Sequence, residues 1–129
     1  MKFTTYILTA LLALLIHSVV YGQEFPDHII PITKDSEIID FKMVDNALNE
    51  LTKSVTNCIK SKQGDYNKCA CLFPEKTENL ETTINDALIK HPSWGESGKG
   101  LYYDDEVKKQ SSNIFISNIK TQLVTSCKL

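Results

Sequence analysis

Between residues 35 and 62 the apolar positions recur at alternating intervals of three and four. Phe41, Val44, Leu48, Leu51, Val55, Cys58 and Ile59 fall on one face of a helix. Thr33, Asp35 or Ser36 can cap its start, and Asp35, Glu37 and Asp40 suit the positive end of its dipole. Lys60 and Lys62 suit the other end, and Gly64 stops it. At about 1.5 Å per residue this helix runs to roughly 40 Å, a length that predicts bending or fraying at its start. A second helix is expected over 74–91: Pro74 opens it, Glu75 and Glu78 favour its first turn, Leu80, Ile84, Ala87 and Leu88 make its stripe, and Pro92 ends it beyond His91. A third is expected over 104–127. Asp104, Asp105 and Glu106 complement a helix start, and Val107, Ser111, Phe115, Ile119, Leu123 and Cys127 recur every four residues. The β-branched run within 113–119 would also suit a strand, but the stripe continues to Cys127 and favours helix.

The remaining stretches lack helical periodicity. Residues 23–33 hold Ile29 and Ile30 between Pro26 and Pro31, which predicts an extended arm or edge segment. Residues 92–100 carry a proline, three glycines and two serines around Trp94, the chemistry of a loop. Lys2 followed by an apolar run from Tyr6 to Ile16 reads as a secretory signal, with cleavage after Gly22 leaving Gln23 as the first mature residue. That run is shorter than the about 20 apolar residues a spanning helix needs, and no second one follows, so no membrane span is expected in the mature chain.

Removing the signal leaves about 107 residues, enough for one domain over 23–129 with a modest core. Charge then narrows the partners. Arginine is absent, and 13 lysines remain against 16 acidic residues, both signs dispersed, so no basic nucleic-acid footprint exists.

The four cysteines change the picture most. An even number in a small exported domain predicts two disulfides. A Cys69 to Cys71 bridge would close a tiny strained ring, so one of Cys69 and Cys71 pairs with Cys58 and the other with Cys127. The alternative is an exported thiol or Cu(I)-handling protein in which Cys69 and Cys71, one residue apart, are thiolate ligands aided by Lys60, Lys62 and Lys68. No Cys-x-x-Cys pair and no zinc-module spacing is present.

Other candidate chemistry dissolves on inspection. Residues 95–100 imitate a phosphate loop but lack its spacing and its Ser or Thr. His28 and His91 stand in no metal-type spacing; His91 suits a helix C-terminus. The sequence carries no nucleophile motif, so no enzyme and no cofactor is expected. Asp104, Asp105 and Glu106 lack the spaced oxygen ligands of a calcium loop. Trp94, Leu101, Tyr102 and Tyr103 are the residues suited to contact a partner, since Trp and Tyr bury much area and keep a polar tip. The competing account folds them over a core that would recruit its only tryptophan, and of the two it carries more weight. The sequence thus predicts an all-α bundle of about three helices with an extended N-terminal arm and two disulfides. Its expected role is that of a secreted or periplasmic, non-enzymatic protein that binds a protein or another envelope or extracellular component.

Overall fold

The computed structural model describes residues 26–62 and 66–126. Residues 1–22, expected to be a signal, Gln23 and Cys127 lie outside them. In chain order the elements are β1 (Ile29–Pro31), α1 (Asp35–Lys62), α2 (Tyr66–Ala70), α3 (Pro74–Lys90), a 3-10 turn (Pro92–Gly95), β2 (Gly100–Asp105), β3 (Gln110–Ile114) and α4 (Ile116–Ser126).

Helices α1 and α3 form where the apolar spacing puts them. Phe41, Val44, Leu51, Val55 and Cys58 line the buried face of α1, with Ala47 between. Leu80, Ile84 and Ala87 line that of α3, which starts on Pro74 and ends when the His91 N–H bonds the Ala87 carbonyl. The two helices run antiparallel: Asp40, early in α1, meets Lys90 at the end of α3, while Ser54, later in α1, accepts from Lys76 near its start.

The all-α expectation is corrected by a three-stranded sheet in the order β1-β2-β3. The third helix expected over 104–127 is a β-hairpin followed by the shorter helix α4. Leu101 and Tyr103 turn one face of β2 to the core, with Ile114 of β3 directly opposite Leu101. This period of two is satisfied only in a sheet. The acidic residues that imitated a helix start instead close the hairpin. Asp105 Oδ1 accepts from the Val107 and Lys108 N–H groups, both at 3.1 Å, and Lys109 takes a left-handed conformation at φ 51°. Val107 stands at the tip, 94% exposed, and of the expected stripe only Ile119 and Leu123, among the described residues, pack against the core.

The N-terminal arm is an edge strand. β1 lies parallel to β2, Ile30 beside Leu101, and keeps Pro31 where a missing N–H is tolerated. The core lies between this sheet and the helices, with Phe41 of α1 meeting Tyr103 at 5.5 Å between ring centroids.

Gly100 marks the closest approach on the other face of the sheet. A Cβ there would lie 2.9 Å from the Phe115 ring and 2.9 Å from Asn113 Oδ1. Gly100→Ala is therefore expected to cost about 1–3 kcal/mol by overpacking, read as a lower urea midpoint at unchanged slope.

Candidate functional site

The cysteines are a clamp. Cys58, on the buried face of α1, is bonded to Cys69 of α2 across a sequence separation of 11, with both sulfurs in the core. Cys71 is disulfide-bonded as well. In this oxidised form Cys69 and Cys71 present no thiolate to a metal, and the described residues hold no group of three or more His, Cys, Asp or Glu side chains placed to share one.

Two of the four residues expected to meet a partner are core. Trp94 is 1% exposed and Leu101 is fully buried, so neither can be a contact surface without unfolding. Trp94 is held by the 3-10 turn that Pro92 starts, and its ring stacks on His91 at 4.2 Å between centroids. His91 in turn puts Nε2 2.9 Å from Asp40 Oδ2, while Lys90 Nζ donates to Oδ1 at 3.0 Å.

This Asp40, His91 and Trp94 arrangement was not read from the sequence. It orients an imidazole and ties α1 to the end of α3. The hydrogen bond with His91 and that from Lys90 hold the Asp40 carboxyl below its ordinary value, against the opposing effect of burial. A depressed carboxylate contributes stability that is complete above the unfolded pKa and is lost as pH falls through the folded one. Wild-type protein should therefore lose stability on acidification below about pH 4, and Asp40→Asn should flatten that loss, in urea titrations at a series of pH values.

Tyr102 and Tyr103 are half-buried and line a groove. β1 ends at Pro31 opposite Tyr102, where the Ile32 N–H makes the last bond to the Tyr102 carbonyl, but β2 runs on to Asp105. Past Tyr102, β2 has β3 on one side and, among the described residues, no strand on the other. The space left measures about 550 Å³, with Pro31 and Ile38 on one wall and Tyr102, Tyr103, Asp104 and Glu106 on the other. Lys42 lies 5.5 Å from the Tyr103 ring centroid, a cation over an aromatic face. Close by on α1, burial pushes the Asp45 carboxyl up, partly offset by the field of Lys108 from the hairpin.

No protein-family model, curated protein or solved structure matches this chain. The geometry stands alone.

Proposed function

We propose that this chain is an exported, non-enzymatic protein that binds an extended, basic segment of a protein partner in the groove beside β2. The observation that carries this reading is the strand that outlasts its neighbour. An extended peptide laid there would continue the line of β1, taking backbone hydrogen bonds from β2 while its side chains meet Tyr102, Tyr103 and Ile38. Asp104, Asp105 and Glu106 at the rim favour lysine or arginine in that segment.

Export rests on residues 1–22 as a cleaved signal, and the oxidised cysteines agree with an oxidising compartment. A second disulfide from Cys71 to Cys127 belongs to the same reading. Peptide mass mapping of the exported protein should give an N-terminal peptide that begins at Gln23 or its pyroglutamate form, and no cysteine should take up an alkylating reagent before reduction.

The binding test is selection from a displayed library of random peptides. Extended sequences rich in lysine or arginine should emerge, and Asp104→Lys should weaken them by about tenfold, ~1.4 kcal/mol, at low salt and less at high salt. Tyr102→Ala should weaken them too, while leaving the circular dichroism spectrum intact. Selected peptides without basic residues, or equal binding by Asp104→Lys, would sink the reading.

A further inference from the structure

A second hollow lies on the helical side of the molecule and shares no residue with the groove. It is an apolar cavity of about 100 Å³ between α1, α3 and α4, closed at one end by α2. Leu51, Val55, Ala70 and Leu80 form its buried floor. Its walls are Leu48, Ile59, Ile119 and Leu123, all half-buried, and the exposed side chains of Thr52, Thr56 and Gln122 stand at its mouth.

Three features select the occupant. The described lining holds no charged residue, so an ionised group cannot enter without losing its hydration uncompensated. Leu51, Val55, Ala70 and Leu80 offer a water no polar partner, and the Thr77 hydroxyl, also in the lining, already donates to the Phe73 carbonyl, so water finds too few of the two to four partners it needs and gains little by staying. The volume is about two-thirds of the roughly 150 Å³ at which a cavity lined by Leu, Ile and Phe admits benzene. Benzene could fill the apolar floor but has no polar group to offer the mouth, whereas an extended alkyl chain can enter end on and leave a neutral polar head among the threonines and the Gln122 amide. We propose that this cavity is a binding site for the unbranched alkyl chain of an uncharged molecule, its head at the Thr52, Thr56 and Gln122 mouth.

The probe is the series of straight-chain alcohols from propanol to octanol, titrated against the full mature protein while the Leu, Val and Ile methyl resonances are followed. Shifts should be confined to the cavity residues. Affinity should rise about fourfold per added methylene and then level off once the cavity is full. Leu48→Ala, which enlarges the wall, should move the levelling point to longer chains, a gain that unfolding cannot produce. Ala70→Leu, which fills the floor, should abolish the shifts while the Cys58–Cys69 bond stays intact. The proposal is overturned if no alcohol moves these methyls, if benzene binds as well as the best alcohol, or if Leu48→Ala leaves the chain-length profile unchanged. Since the groove beside β2 is untouched by these variants, peptide binding there should survive all of them.

Discussion

Replacing Trp94 with alanine should lower the unfolding free energy by about 3–5 kcal/mol, the cost of deleting a large buried ring that its surroundings cannot close over. A domain of this size holds about 5–15 kcal/mol in total, so this one change threatens the fold. The ring is 1% exposed and supports the face of His91, whose Nε2 reaches Asp40. Two costs therefore combine: an emptied volume between the 3-10 turn and its neighbours, and an imidazole left without its stacking partner beside a buried carboxylate. Trp94→Phe keeps much of the volume and should cost less. If the stacking matters, Trp94→Phe and Asp40→Asn will not be additive, with a coupling of about 0.5 kcal/mol or more in a double-mutant cycle. Because Trp94 is the only tryptophan, unfolding must be followed by far-ultraviolet circular dichroism. A Trp94→Ala variant as stable as the wild type would show that the residue is not core, and would return it to the candidates for partner contact.

Helices α1 and α3 were legible because their stripes are local and long, and because Pro74 and Pro92 punctuate the second of them. The hairpin was misread because its evidence is not local. Three successive acidic residues and a spacing of four after Val107 satisfy the rules for a helix start, whereas the strand that decides the matter, β1, lies far back in the sequence. The turn gave no warning either, since Lys109 occupies the left-handed position that glycine or asparagine would have announced. One signal was present and unused. Asp40 sits four residues before Val44 on the apolar face of α1, where a carboxylate needs a partner; that partner, His91, is 51 positions away. The cavity between α1, α3 and α4 had no signature at all, because a void depends on how three helices meet and not on any one stripe.

The joint replacement Cys58→Ala with Cys69→Ala is the second large effect, expected at about 3 kcal/mol from the loop-closure entropy returned to the unfolded chain. Alanine is the informative substitute, since serine at these buried positions would add unsatisfied hydroxyls worth about 1–3 kcal/mol of their own. The local consequence is sharper than the global one. Helix α2 spans only Tyr66–Ala70, far below the length at which a helix stands alone, so it is held by the bond to α1 and by the burial of Cys69 and Ala70. Without that bond the amides of α2 should exchange with solvent much faster than those of α1 and α3. Ala70 also forms part of the cavity floor, so alkyl-chain binding should weaken in the same variant while peptide binding beside β2 does not. Loss of stability with unchanged exchange in α2 would mean that the bridge acts only on the unfolded chain, and that burial of Ala70 is enough to keep the floor in place.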